Sequence, residues 1–260
     1  MVNKLLDSKV LVTGSSRGLG KAIALQLASE GADVAVHYNR RIEEARSVVK
    51  EIESMGRKAY LLQADLADYR NAIRLADLAW DALGGVDFLV NNAGISYKKK
   101  FIDTSVDDVD AFTNTNFKST LFLTKTIANR MIDRDMGGNI YTITSINGIQ
   151  PGIGFSAYGA TKGALETLMK GVALELAPHD IIVNTLAVGG FKTDINADVW
   201  RDGEKLKLVN ESIPMGRLGL PEEIAQLLCG LCKHNSYMTG TTLVVDGGWL
   251  LKHGYRKVER

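Results

Sequence analysis

Short apolar runs alternate with longer amphipathic stretches along this chain. A run of about four to eight apolar residues indicates a buried strand, whereas apolar residues repeating every third or fourth position indicate a helix. The pattern predicts strands at 9–13, 33–38, 59–63, 86–91, 139–144, 181–186 and 242–245. It predicts helices at 18–29, 42–55, 69–83, 106–134, 156–176 and 222–233.

Alternating strands and helices are typical of an α/β fold in which helices cover both faces of a parallel sheet. We therefore expect a single doubly wound sheet of the Rossmann type, with about seven strands. No linker or repeat divides the chain, so residues 1–260 are expected to form one domain. The irregular stretch around 188–217 is long for a connection, and we expect it to act as a substrate lid.

Composition narrows the class of protein. The 260 residues are 45% hydrophobic and carry a net charge of +1, which gives no general attraction to nucleic acid or to an anionic membrane. No apolar run approaches the roughly 20 residues that cross a bilayer, and no signal-like segment opens the chain. We expect a cytoplasmic protein.

Two cysteines, Cys229 and Cys232, form a C-x-x-C pair. A redox or metal site is one interpretation, but a metal needs further ligands and the chain has no second cysteine pair. The pair lies beside the apolar stripe of the predicted helix at 222–233. We therefore expect two small buried side chains, and no metal site.

A glycine-rich turn follows the first predicted strand and begins the first helix, with Gly14, Gly18 and Gly20 at its key positions. Gly14 allows a tight turn, Gly18 lets the backbone approach phosphates, and Gly20 lets the helix pack closely on the strand. A pyrophosphate would then meet the positive end of the helix. The turn predicts a dinucleotide-binding domain.

The end of the second predicted strand bears on the choice of cofactor. An acidic residue there commonly binds the ribose of NAD, but this chain has Tyr38, Asn39, Arg40 and Arg41. Arg17 also lies in the glycine turn. These arginines, with no carboxylate beside them at the end of the strand, favour NADP(H). NAD(H) is the alternative cofactor.

Tyr158 and Lys162 are four residues apart in a predicted helix and so share one face. A nearby ammonium lowers the pKa of a phenol from its usual value of about 10, and the pair can then exchange a proton with a carbonyl or an alcohol. Ser145 ends a predicted strand, where catalytic groups gather in such sheets.

These residues resemble the motifs of the short-chain dehydrogenase/reductase family. The resemblance includes the glycine turn, Asn91-Asn92-Ala93-Gly94, Ser145, Tyr158-x-x-x-Lys162, Val183-Asn184 and the segment 241–248, and it extends over nearly the whole chain in the expected order. It implies an NADP(H)-dependent oxidoreductase that transfers a hydride between nicotinamide and a carbonyl or secondary alcohol.

The resemblance also implies a role for each matching residue. Tyr158 would be the acid/base, Lys162 would bind the nicotinamide ribose, Ser145 would hold the substrate oxygen, and Asn116 would kink the long helix and support a proton relay. Asn116 has an alternative role, satisfying backbone groups. The cofactor would contact Gly14, Ser16, Arg17, Gly18, Leu19, Gly20, Tyr38, Asn39, Arg40, Asp65, Leu66, Asn92, Ala93, Gly94, Tyr158, Lys162 and Thr193.

The sequence departs from the family after the sixth strand, where Val188 replaces the usual proline and Gly190 follows Gly189. Without the proline the φ angle at this position is no longer fixed, and the second glycine adds backbone freedom. We therefore expect a more mobile lid.

Substrate identity stays open between two interpretations. The chain most resembles 3-oxoacyl thioester reductases and, as the alternative, sugar or polyol dehydrogenases such as glucose dehydrogenase. Arg130 occupies a position where reductases that bind acyl-carrier protein have a basic residue, with His179 as a weaker partner. A solvated side chain is the favoured interpretation of Arg130. A non-catalytic cofactor-binding regulator would be expected to lose Tyr158 or Lys162, and both are present.

Assembly is inferred from the family, which is commonly tetrameric, and we expect a homotetramer. The apolar tail 249–255 would be costly to expose, so we expect it at a subunit interface. We expect surface or capping positions for the histidines, which are His37, His179, His234 and His253.

Overall fold

The computed structural model describes residues 5–252. Seven strands form one sheet in the order β3-β2-β1-β4-β5-β6-β7, and every neighbouring pair is parallel. This confirms the predicted doubly wound sheet. The strands are β1 (Lys9–Val12), β2 (Asp33–Tyr38), β3 (Ala59–Gln63), β4 (Phe88–Asn91), β5 (Gly138–Ser145), β6 (Ile181–Val188) and β7 (Thr242–Val245).

Helices cover both faces of this sheet. Buried residues of α1, α2 and α10 pack on one face, and those of α3, α5 and α7 pack on the other. The helices are α1 (Gly18–Ser29), α2 (Ile42–Ser54), α3 (Tyr69–Leu83), α4 (Val106–Phe112), α5 (Ser119–Asp133), α6 (Ile146–Ile149), α7 (Ser156–Leu176), α8 (Ala197–Trp200), α9 (Gly203–Glu211) and α10 (Pro221–His234).

Strand β1 illustrates why the strands are apolar at successive positions. Val10 and Val12 pack into the layer that includes α1 and α10, whereas Leu11 packs into the opposite layer. Successive side chains of a strand point to opposite faces, so a strand covered on both faces needs apolar residues throughout.

Helix α3 begins and ends where its sequence predicts. The side chain of Asp68 accepts a hydrogen bond from the backbone N–H of Arg70 and caps the helix. Gly84 ends it with φ of 71°, a left-handed conformation that favours glycine. Helix α10 begins with Pro221, whose fixed φ suits a first helical position.

The predicted continuous helix over 106–134 is wrong, because a π-helical turn at Thr113–Lys118 separates α4 from α5. A π turn inserts an extra residue and so rotates the side chains that follow it. Asn116 lies inside this turn and is completely buried. The family resemblance implied a kink at this residue, and the structure has the π turn there.

The stretch predicted to be irregular contains regular structure. It includes a 3₁₀ turn at Asp194–Asn196 followed by α8 and α9. Phe191 pairs with Gly219 in an isolated parallel bridge, which closes the segment at its base.

Helix α10 carries the two cysteines. Cys229 and Cys232 are both free and buried, and burial raises the pKa of both thiols. The prediction of small buried side chains is confirmed. Between residues 5 and 252, no helix is long and apolar enough to span a membrane.

Candidate active site

A cleft of about 1230 Å³ opens at the carboxyl ends of the strands. Strand order reverses between β1 and β4, and ligands of such sheets bind at this point. The cleft brings together nearly all the residues that the sequence assigns to the site. They are Gly14, Ser16, Arg17, Gly18, Leu19, Tyr38, Asn39, Arg40, Asp65, Leu66, Asn92, Ala93, Gly94, Ser145, Tyr158, Lys162 and Thr193.

Two predicted site residues, Gly20 and Asn116, do not line the cleft and lie behind its wall. A Cβ added to Gly20 would collide with the carbonyl oxygen of Gly14 and come within 2.5 Å of Asn92 Nδ2. Gly20 therefore acts through close packing, as its position in the turn predicts.

The glycine turn depends on left-handed backbone at Gly14, with φ of 65°, and at Gly18, with φ of 56°. Residues other than glycine rarely adopt these values. The side chain of Asn92 supports the turn by donating to the carbonyls of Thr13 at 2.8 Å and Gly14 at 3.2 Å. The ends of β1 and β4 are thereby joined beneath the cleft.

His37 contradicts the expectation of a surface or capping position. It is 2% exposed, and its Nδ1 accepts a hydrogen bond from the backbone N–H of Gly14 at 2.9 Å. Its Nε2 lies 3.1 Å from the carbonyl oxygen of Ala64, so the neutral ring with the proton on Nε2 satisfies both contacts. Burial lowers the pKa of His37 to about 4. His179 and His234 are exposed as expected, and His253 lies outside the described residues.

The end of the cleft near β2 carries the polar groups predicted for the adenosine. Asn39 Nδ2 donates to Asp65 Oδ1 at 3.1 Å. Arg40 is exposed and forms no ion pair with any residue in the range 5–252. Arg17 lies 3.6 Å from Asp194, in the 3₁₀ turn that faces it across the cleft.

The opposite end of the cleft holds Ser145 and Tyr158. Ser145 ends β5 and caps α6, where its hydroxyl accepts from the backbone N–H of Asn147 at 3.2 Å. Tyr158 lies in the first turns of α7, between the rings of Phe112 and Phe155. The two hydroxyls interact at this end of the cleft, because α7 is bound to the end of β5 through Lys162 and Glu166.

Lys162 is 5% exposed and donates to the carbonyl oxygen of Ile143 at 3.0 Å. Its Nζ lies 6.0 Å from the centre of the Tyr158 ring. Burial lowers the pKa of Lys162 to about 8, against an opposing effect of Glu166.

The expected lowering of the Tyr158 pKa by Lys162 is not found in this structure. Burial raises the pKa of Tyr158, and hydrogen bonding to Ser145 and Ser96 only partly opposes the rise. The physical reason is placement, since the ammonium is directed to the Ile143 carbonyl rather than to the phenol oxygen.

Asn116 binds backbone, which was its alternative role. Its Oδ1 accepts from the N–H of Ile95 at 2.8 Å, and its Nδ2 donates to the carbonyl of Ile95 at 3.0 Å. A Cβ on Gly94 would lie 3.0 Å from the same Oδ1. The π turn therefore fixes the chain segment that forms one wall of the cleft.

The segment after β6 is closely packed. A Cβ on Gly189 would lie 2.8 Å from Asp246 Cα, and one on Gly190 would lie 2.6 Å from Leu218 Cδ2. Val188 continues β6 and pairs with Val245. These glycines are explained by close approach, and greater mobility of this segment stays a prediction.

The apolar tail was expected at a subunit interface. Trp249 and Leu250 line the cleft of their own chain, and the Trp249 ring would lie 3.0 Å from a Cβ on Gly190. Leu251 is exposed, and residues 253–255 lie outside the described range.

Arg130 is held by acidic residues of α3. Its guanidinium donates to Asp77 at 2.6 Å and reaches Asp81 at 3.5 Å, while it lies over the ring of Trp80. Its charge is thus compensated within the chain.

Sequence reasoning missed several polar residues near the reacting end. Ser96 lines the cleft and opposes the rise in the pKa of Tyr158, and Asn147 lines the cleft beside Ser145. Ser96 is the second residue after the Asn-Asn-Ala-Gly motif. This proximity is a sequence signal that points to Ser96 as a residue of the cleft. Glu166 lies one helical turn after Lys162, so the four-residue spacing that relates Tyr158 to Lys162 also predicts Glu166 on the same face of the helix.

Comparisons with known proteins agree with this geometry. The profile of the family described as short chain dehydrogenase matches residues 8–204. The chain is 38% identical over 251 residues to an L-rhamnose 1-dehydrogenase (NADP(+)) of Thermoplasma acidophilum, covering 95% of this chain and 99% of the relative. It is 37% identical over 257 residues to 3beta-hydroxysteroid dehydrogenase 1 of Eggerthella lenta, covering 98% of both.

A similar solved structure is a short chain dehydrogenase from Burkholderia cenocepacia in complex with NADP. It superposes with a TM-score of 0.88 at 36% identity, covering 95% of this chain and 100% of that one. The chain therefore belongs to the short-chain dehydrogenase family, and it is an NAD(P)-dependent oxidoreductase.

Proposed function

We propose that this protein is an NADP(H)-dependent dehydrogenase of a sugar or polyol, with Tyr158 as acid/base. One observation carries the proposal. The hydroxyls of Tyr158 and Ser145 converge at one end of a cleft whose other end is the glycine turn. A dinucleotide in this cleft would extend from the turn to the tyrosine.

The residues present fit a dinucleotide. Gly14 and Gly18 have positive φ and no side chains, so the backbone at the start of α1 is uncovered. The N–H groups and the helix dipole there favour phosphate. Asp65, Asn39 and Tyr38 line the adenosine end, and Lys162 and Thr193 line the nicotinamide end.

NADP(H) is the favoured cofactor because of charge. Arg40 is exposed without an ion-pair partner in the described range, and Arg17 lines the same cleft. A guanidinium binds a phosphate by charge-assisted hydrogen bonds. NAD(H) is the alternative cofactor, because Asn39 and Asp65 at the same end of the cleft would accept hydrogen bonds from a ribose hydroxyl.

The proposed chemistry assigns one task to each residue. Bound nicotinamide would supply or accept the hydride. Tyr158 would give a proton to the substrate oxygen in reduction and remove it in oxidation, and Ser145 would hydrogen-bond that oxygen as charge develops. Lys162 would bind the ribose. Asn116 would hold the wall at Ile95 and support the proton relay.

The substrate end of the cleft supports a sugar more than a thioester. It presents hydrogen-bonding side chains beside two aromatic rings, which suits a polyhydroxylated ring with apolar faces. The hydrogen-bonding side chains are those of Asn147, Gln150 and Lys252, and the rings are those of Phe155 and Trp249. Arg130, which a carrier-protein surface would need, is bound to Asp77. The L-rhamnose dehydrogenase relative supports the same choice.

The test is NADP⁺ or NADPH turnover across three panels. The first contains aldoses and polyols, the second 3-oxoacyl thioesters, and the third hydroxysteroids, which the Eggerthella relative suggests. We expect turnover in the first. Turnover confined to either other panel would reject the sugar assignment, and cofactor binding without any turnover would favour a regulator.

We further propose that the chain is one catalytic domain in which residues 188–217 act as a lid. Thr193, Asp194 and Asn196 support this, because they line the cleft from that segment. We also propose a cytoplasmic homotetramer. Exposed apolar side chains support assembly, notably Phe101, Ile102 and Leu174, at 78%, 86% and 80% exposure. Light scattering that shows a stable monomer would reject the tetramer.

A further inference from the structure

Helix α7 carries a buried carboxylate to which the reaction above gives no task. Tyr158, Lys162 and Glu166 follow one another at intervals of four residues and so lie along one face of the helix. Glu166 is only 8% exposed. A carboxylate in such a place is costly unless it is hydrogen-bonded and its charge is balanced.

The hydrogen bond comes from the end of β5. Thr144 Oγ1 donates to Glu166 Oε1 at 3.0 Å. The preceding residue, Ile143, accepts from Lys162 Nζ at 3.0 Å, and the following residue is Ser145. Two consecutive positions of β5 are therefore bound to α7 by charged side chains, immediately before the strand presents Ser145.

Helix α6 lies directly over this carboxylate. A Cβ added to Gly148 would lie 3.2 Å from Glu166 Oε1 and 2.8 Å from the backbone nitrogen of Gly163. Ser145 caps α6, so the helix and the strand that meet at Ser145 both contact Glu166. The carboxylate occupies the junction of the three elements that form the reacting end of the cleft.

The surrounding charges are few. Burial raises the pKa of Glu166, and the hydrogen bond from Thr144 and the charges of Lys170 and Lys162 oppose that rise. Helix α6 contributes only backbone near the carboxylate. Glu166 is the charged group that acts on Lys162. Burial lowers the pKa of Lys162 to about 8, and the Glu166 carboxylate opposes this lowering. Without that carboxylate the ammonium would lose its proton at a lower pH.

We propose that Glu166 is a positioning residue of the active site, which keeps buried Lys162 charged and, through Thr144, holds the end of β5 that presents Ser145. The inference rests on the proposed function for its catalytic consequence, since Lys162 matters there as a cation. Its physical content, the effect on the charge of Lys162 and on the strand end, does not depend on the substrate.

The first test measures the charge of Lys162 directly. Protein labelled with ¹³C at lysine Cε is titrated by NMR, and the Lys162 signal is assigned by its absence in Lys162→Arg. We expect a midpoint near the value of about 8 in the unaltered protein. We expect it about one pH unit lower in Glu166→Gln, which keeps the shape and the acceptor but removes the charge. Glu175→Gln, an exposed glutamate on the same helix, should leave the midpoint in place. An unmoved midpoint in Glu166→Gln would overturn the charge assignment.

The second test separates charge from position. Thr144→Val keeps the Glu166 carboxylate but removes its hydrogen-bond donor. We expect the Lys162 midpoint to stay and kcat to fall about tenfold, because misplacing a catalytic group is costly. An unchanged kcat would overturn the positioning role.

The pH profile of Glu166→Gln provides a further readout. We expect the alkaline limb of its kcat/KM profile to move to lower pH together with the NMR midpoint. A limb that stays in place while only Tm falls would indicate a structural role alone.

The two proposals fail in different ways. The titration needs neither cofactor nor substrate, so a silent activity panel would reject the proposed function while the NMR midpoint still decides the charge of Lys162. Turnover by the unaltered protein with an unmoved Glu166→Gln midpoint would reject this inference and leave the proposed function intact.

Discussion

The imidazole of His37 holds the glycine turn in place by accepting the backbone N–H of Gly14 at 2.9 Å. Only the neutral ring can accept there, because protonation would place an N–H against an N–H. Burial lowers the pKa of His37 to about 4, so the ring is neutral and can accept this hydrogen bond above that pH. Acid should therefore destabilise the glycine turn at the cofactor end of the cleft by protonating His37.

The first prediction concerns acid stability. The unfolded chain binds a proton at His37 near pH 6.5 and the folded chain near pH 4, so the unfolded state gains protons first as pH falls. The part of the unfolding free energy that depends on neutral His37 is fully present above pH 6.5. It is lost between pH 6.5 and 4, at about 1.4 kcal/mol per pH unit and about 3 kcal/mol in total. Urea unfolding across this range measures it.

His37→Gln should flatten that part of the pH profile, whereas His234→Gln, at an exposed histidine, should leave it unchanged. A His37→Gln protein that loses stability between pH 6.5 and 4 as steeply as the unaltered chain would refute the assignment.

The second prediction concerns packing at the glycine turn. Gly20→Ala places a methyl group against the Gly14 carbonyl and Asn92 Nδ2, both fixed parts of the fold. We expect a loss of about 1–3 kcal/mol in unfolding free energy, together with weaker NADPH binding. Thermal unfolding and fluorescence titration measure the two effects.

The matched control is Gly230→Ala. Gly230 also lies within a helix, but within residues 5–252 an added Cβ would meet nothing within 4 Å beyond its own stretch of helix. This substitution should stabilise α10 by up to about 1 kcal/mol, since alanine favours helix over glycine. Equal destabilisation by both substitutions would show that crowding at Gly20 is not the cause.

The third prediction concerns cofactor choice. Arg40→Gln should raise the Kd for NADPH about tenfold or more while changing that for NADH little, because only NADPH offers a phosphate to the guanidinium. Arg41→Gln is the control, as Arg41 already pairs with Glu44 at 3.0 Å. Parallel weakening of both cofactors in Arg40→Gln would contradict the assignment.

Much of the fold and the site could be predicted from local sequence. The glycine turn, the strand ends at Ser145 and the Tyr158–Lys162 spacing are short-range features, and backbone geometry fixes their meaning. The buried cysteines followed from helical periodicity in the same way. These predictions needed no knowledge of which distant segments meet.

The rest depended on tertiary contacts. The π turn at Thr113–Lys118 accompanies the pairing of Asn116 with Ile95, 21 residues away. Arg130 is bound by Asp77, which is 53 residues away in the sequence, and no local pattern around Arg130 indicates that partner. His37 looked like a surface residue because its polarity conceals two buried backbone partners. Side-chain type alone does not encode such pairings.

The most direct test of the proposed dehydrogenase is the effect of Tyr158→Phe on NADP⁺-linked oxidation of L-rhamnose and related sugars. Removing the hydroxyl deletes the proposed acid/base, and acid–base catalysis typically contributes about 10²–10⁴-fold. We expect kcat to fall by that factor while the Kd for NADPH changes little. Retained turnover in Tyr158→Phe would contradict the central claim.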